Sequence, residues 1–112
     1  MIPNARKFVR EIALNNFVVS IRAVDIPLRD LAGQSTAMKE KLIQLGKLTV
    51  EKEEAEVIVI RGVSRVPNHC SAEEIAREVG VPVIDCVAAA IKAAESMVAM
   101  GLKNSRKAYP QP

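Results

Sequence analysis

The 112-residue sequence predicts an α/β fold, a three-layer sandwich in which helices cover a parallel sheet. Three observations lead there. Helical and strand-like stretches alternate along the chain, the connections between them are short, and Val57-Ile-Val-Ile60 lacks the polar alternation of a strand with one wet face. The length suits one domain, residues 1–112, and the 49% apolar content is enough for a real core.

Ala5, Phe8, Val9, Ile12 and Ala13 recur at helical spacing just after Pro3, a residue tolerated in a first turn, so residues 3–14 read as an amphipathic helix that ends at Asn15-Asn16. Residues 17–24 are rich in β-branched side chains and precede Pro27, which predicts a strand and then a loop. A second helix begins near Ser35-Thr36, carries Met38, Leu42, Leu45 and Thr49 on one face, and dissolves in the charged residues 51–54. Residues 57–60 form the next strand, covered on both faces, and a loop runs from Arg61 to Cys70.

Ser71 and Glu74 have the spacing of a capping box, which predicts a short helix over 72–79 ending at Gly80. Residues 81–84 are a third strand. Asp85 then stands where an N-cap accepts hydrogen bonds from the free amides of a helix over 87–101, whose buried stripe would be Val87, Ile91, Ala94, Val98 and Leu102. Three strands are few for a doubly covered sheet, and the chain reads as if it begins inside a larger α/β unit.

Composition excludes several classes of function. Sixteen Lys and Arg against 13 Asp and Glu leave a net charge of +3, spread without a basic block. With Phe8, Phe17 and Tyr109 as the only aromatics, this reads as a solvated surface and not a nucleic-acid footprint. No apolar run approaches the ~20 residues that span a bilayer, so no membrane partner is expected. The charged N-terminus MIPNARKFVREI lacks the form of a secretory signal, and two cysteines without paired spacing fit a reducing cytoplasm.

In a parallel sheet ligands sit beyond the carboxyl ends of the strands, here residues 25–28, 61–70 and 85–86. Cys86 follows a strand and opens a helix, where amide dipoles favour a reactive thiolate, while the alternative is a small core residue. Asp85 is a helix cap or a general base. His69 beside Cys70 has the residue types of a nucleophile and its base, although neighbours on a loop point in different directions. Arg61 and Arg65 are candidates for binding an anionic group. Gly62 stands without the glycine spacing of a phosphate loop, and no residues cluster as metal ligands, so neither a phosphate loop nor a metal site is expected.

The stretch GVPVIDCVAAAIKAAESMVAMGLKNSRKAYPQP, residues 80–112, resembles the C-terminal end of the hydantoin and allantoin racemases, members of the aspartate/glutamate racemase superfamily. SIRAVDIP, residues 20–27, is similar to a segment of the same family, and AEVIVI, residues 55–60, to the strand that precedes its second catalytic cysteine. The resemblance covers nearly the whole chain except the loop 61–70. Because family members are about twice as long, it implies the second lobe of a two-lobed enzyme, truncated near that lobe's first strand.

The implied chemistry is racemisation of a small-molecule substrate, a hydantoin, allantoin or related amino-acid derivative, with no cofactor. Two thiols on opposite faces of the substrate carbon exchange its proton. The first cysteine belongs to the lobe outside this match, and Gly62 stands where the second would fall in an ungapped match. Neither Cys70, which stands just before the capping box, nor Cys86, where the family has a small residue or proline, matches that position; they are the two catalytic candidates in this sequence, and Arg61, Gly62, Val63 and Ser64, the segment after the strand, are the substrate-binding ones. The expected protein is an incomplete, impaired racemase that forms a homo-oligomer. The alternative is a non-catalytic interaction module whose open sheet edge and apolar helix faces associate.

Overall fold

A computed structural model describes residues 2–26, 33, 35–62, 66, 70–110 and 112. Its elements are α1 (Ile2–Glu11), α2 (Ser35–Glu53), β1 (Ile58–Val59), α3 (Ala72–Val79), β2 (Val83–Ile84) and α4 (Cys86–Ala99). The two strands run parallel, with Ile58 paired to Val83 and Val59 to Ile84, and the Ile58 amide extends the ladder by donating to the Pro82 carbonyl at 2.9 Å. This parallel β-α-β arrangement is the α/β class the alternation predicts.

The core lies between α2, α3 and the sheet. Met38, Leu42 and Gly46 recur every four residues and are the buried face of α2. They meet Ile75 and Val79 of α3, and Val24, Ile60, Val66 and Cys70 complete the cluster. Gly46 is there for closeness: a Cβ on it would meet Val79 Cγ1 at 2.7 Å and Ile58 Cδ1 at 3.2 Å. Lys39–Glu74 and Lys47–Glu78 flank the α2–α3 seam at 3.6 and 3.9 Å, exposed pairs that add little to stability.

Helix α3 forms as its local signals dictate. The Ser71 hydroxyl accepts from the Glu74 amide at 3.2 Å, the Glu74 carboxylate accepts from the Ser71 amide at 3.1 Å, and Gly80 closes the helix in the left-handed region at φ 80°. Helix α2 runs further than expected. It continues through the charged residues to Glu53 and stops where Glu54 takes φ 55°. Straight-chain Glu and Lys are good helix formers, so their charge does not break the helix.

Three other expectations are corrected. Residues 17–24 form no strand. A strand persists only where a neighbouring ladder satisfies its backbone groups, and β1 and β2 pair with each other alone among the described residues, leaving Phe17 79% exposed and Val24 as the buried residue of the run. Side chains hold this segment instead: Arg22 donates to Glu53 Oε1 at 2.6 Å and to Thr49 Oγ1 at 3.1 Å, at the end of α2.

The strand 57–60 is not covered on both faces, because Val59 is 63% exposed and Val57 is exposed beside it, while Ile60 is buried. The α4 stripe is likewise bare. Cys86 and Val87 are half-buried, and every residue from Ala88 to Leu102 is exposed, Ile91 by 53% and Val98 by 75%. The helical period shows which face wants cover, and among the described residues nothing supplies it.

Candidate functional site at the carboxyl ends of the strands

Parallel pairing brings the carboxyl ends of β1 and β2 side by side, so the residues that follow each strand meet. After β2, Asp85 caps α4, its Oδ1 accepting from the amides of Val87 at 2.8 Å and Ala88 at 3.1 Å. This arrangement fits the capping reading of Asp85, because the carboxylate is occupied by backbone donors. Cys86, the next residue, points across to the other strand, and its thiol donates to the Ile60 carbonyl at 3.0 Å.

After β1, Arg61 and Gly62 form an exposed turn, with Gly62 at φ 97°, where a side chain would be strained. The Arg61 guanidinium lies 5.6 Å from the centre of the Phe8 ring, a cation–π contact that links the strand end to α1. Val63, Ser64, Arg65 and His69 lie outside the described residues.

The two candidate thiols sit in different environments. Cys70 is 6% exposed within the core cluster, immediately before the Ser71 cap. Burial pushes its pKa up, the neighbouring Glu74 carboxylate adds to the rise, and Lys39 opposes both. A thiol held protonated in this way packs better than it reacts. Cys86 is half-buried beside the carboxyl ends of both strands and is not disulfide-bonded. Among the described residues no three His, Cys, Asp or Glu side chains gather as a metal site would require, and no helix is long and apolar enough to cross a membrane.

Two long-range contacts escape sequence reasoning. The Arg22 clip to Thr49 and Glu53 spans 27 and 31 residues, and the Cys86–Ile60 bond spans 26. Neither leaves a local signal.

No protein-family model matches the chain. Among curated proteins it is similar to the hydantoin racemase of Paenarthrobacter aurescens, 33% identical over 117 aligned positions that take in 100% of this chain and 48% of that protein. The hydantoin racemase of Pseudomonas sp. (strain NS671) is 38% identical over 96 positions, 85% of this chain and 37% of the relative. That of Rhizobium meliloti is 30% identical over 115 positions, 98% of this chain and 46% of the relative.

Among solved structures, the allantoin racemase from Pseudomonas fluorescens superposes with a TM-score of 0.81 at 29% identity, over 98% of this chain and 46% of that one. The allantoin racemase from Klebsiella pneumoniae gives 0.79 at 29% identity, over 91% and 40%. The chain thus spans a little under half the length of the relatives it matches, in agreement with a resemblance to their C-terminal half. Its fold is α/β with a parallel sheet and corresponds to part of a two-lobed racemase-like fold.

Proposed function

We propose that this chain is one lobe, a single domain, of a racemase that acts on hydantoins, allantoin or related amino-acid derivatives without a cofactor. The observation that carries the reading is the match of nearly the whole chain, at a TM-score of 0.81, to less than half of an allantoin racemase.

Racemisation beside a carbonyl needs one group to take the weakly acidic proton from one face of the carbon and another to return a proton from the opposite face. A thiolate does the first, the electron pair passes to the carbonyl oxygen, and a thiol on the far side does the second. One sheet end presents groups to one face only, so a single lobe supplies half of the pair.

Cys86 is the thiol we assign to this lobe. It lies at the carboxyl ends of both strands and at a helix N-terminus, whereas Cys70 is committed to the core. Arg61 and Gly62, with Val63 and Ser64, form the segment after β1 that would border the substrate, and the Arg61 cation suits the oxygen where charge develops.

Polarimetry with single enantiomers of 5-substituted hydantoins and of allantoin tests the proposal. We expect the 112-residue chain alone to be silent and to racemise once joined to the half of a hydantoin racemase that it does not match. Cys86→Ser should abolish that activity and Cys70→Ser should leave it within about threefold. Racemisation that survives Cys86→Ser would remove Cys86 from the chemistry, and a joined protein that folds but never racemises would end the racemase reading.

A further inference from the structure

Helix α1 buries none of its residues, and Phe8 within it is 48% exposed. The ring nevertheless has a partner. The Arg61 guanidinium lies 5.6 Å from its centre, inside the reach of a cation–π attraction. Arg61 directly follows Ile60, whose carbonyl accepts from the Cys86 thiol at 3.0 Å. Val59 pairs with Ile84, so Arg61 and Cys86 each come two residues after matched positions of the ladder. The arginine and the thiol assigned to the chemistry therefore leave the sheet side by side.

Stacking decides which part of the guanidinium stays usable. An aromatic ring takes the flat face of the cation and leaves the N–H donors around its edge. Among the described residues no acceptor takes those donors. An exposed arginine without the ring spreads over many rotamers, and a ligand that fixes it must overcome that freedom. A ring that already holds the cation removes part of this cost before binding.

We propose that Phe8 is a positioning residue: its ring holds the Arg61 guanidinium so that the free N–H edge receives a ring carbonyl oxygen of a cyclic ureide, the chemical class of hydantoins and allantoin. The proposal rests on the racemase reading for the class of ligand, and it adds to the site a residue of α1. Phe8 acts through Arg61 and not on the ligand itself. Its removal should therefore matter only while the arginine is present.

The test is a double-mutant cycle on binding, with the isotopically labelled 112-residue chain titrated with allantoin and with 5-benzylhydantoin. In the free chain the ring current should displace the Arg61 side-chain Nε–H resonance, and Phe8→Leu should return it to the position of an unstacked arginine. Dissociation constants are read from the backbone amides of Gly62 and Cys86, which every variant retains. Phe8→Leu should weaken binding about two- to fivefold, as loss of an exposed cation–π pair predicts. Phe8→Tyr keeps a ring and should bind as the wild-type chain does. In an Arg61→Gln background Phe8→Leu should have no further effect. Because Phe8 is exposed on a helix with no buried residue, these variants should keep the wild-type circular dichroism spectrum. A merely structural role would lower stability and leave the dissociation constants in place.

The joined protein described above supplies the second measurement: Phe8→Leu should lower its kcat/KM by at least the same factor. The proposal is overturned by an Arg61 resonance indifferent to Phe8→Leu, by binding indifferent to it, or by a loss that persists in full without Arg61. Failure of both the chain and the joined protein to bind either compound overturns it as well. A joined protein that binds through Phe8 and Arg61 but never racemises ends the racemase reading and leaves the positioning role standing. One that racemises at the full rate with Phe8→Leu does the reverse.

Discussion

The Cys86 thiol donates a hydrogen bond to the Ile60 carbonyl at 3.0 Å, tying the first residue of α4 to the end of the neighbouring strand. That bond gives Cys86 a structural role whose energy can be separated from its chemical one. Cys86→Ala removes the donor and should destabilise the chain by about 0.5–1.5 kcal/mol in urea unfolding, at the lower end because a thiol is a weak donor. Cys86→Ser keeps a donor and should stay close to wild type. Equal stability of the Ala variant and the wild-type chain would show that the bond contributes nothing.

Thiol accessibility should follow the same division. Ellman's reagent should modify Cys86 in the native chain and reach Cys70, 6% exposed, only at the rate of unfolding. Cys86→Ser should remove the fast phase. Because the Cys70 pKa is raised in the fold, the folded state holds its proton longer than the unfolded chain does, so stability should fall as pH rises above the ordinary thiol value of 9.0. Cys70→Ala should flatten that alkaline decline.

Gly46→Ala sets two effects against each other. Alanine favours a helix interior by about 1 kcal/mol over glycine. Its methyl, however, would meet Val79 Cγ1 at 2.7 Å, and overpacking of this kind costs about 1–3 kcal/mol. Steric crowding should win, with a net loss of about 1 kcal/mol by chemical denaturation. A stabilised variant would mean that α3 can move away from α2 freely.

The capping box should make itself felt in acid. The Ser71 amide, and next to it the Lys39 charge, hold the Glu74 carboxyl below its ordinary value of 4.5. A depressed carboxylate contributes stability above the unfolded value and loses it as pH falls through the folded one. Glu74→Gln should therefore weaken the chain at neutral pH and flatten its pH dependence below 4.5. Ser71→Ala should cost about 0.5–2 kcal/mol, seen as loss of helix signal on thermal unfolding.

The parts of this molecule that were legible in the sequence are those decided within a few residues. Ser71 and Glu74 specify the start of α3 through bonds to each other, Gly80 its end through a left-handed turn and an amide bond to the Ala76 carbonyl, and Asp85 announces α4 by capping its first amides. The run 17–24 shows the limit of that reasoning. Its β-branched residues describe a chain suited to a ladder, but a ladder needs a partner, which local composition does not reveal. In α4 the period identifies the apolar sides correctly and leaves open what covers them. At the candidate site, Asp85 and the position of Cys86 after a strand are local features. The Cys86–Ile60 contact arises from the register of two strands brought together through α3 and has no signature along the chain.

The bare side of α4 also sets the thermal character of this polypeptide. The heat capacity of unfolding grows with the apolar area newly wetted, about 12–15 cal/mol/K per residue for ordinary domains. Ile91, Met97, Val98, Met100 and Leu102 are already largely in water while the chain is folded, so unfolding wets them little further. The curve of stability against temperature should consequently be broad and low, and it should steepen into that of an ordinary domain once another surface closes over the helix.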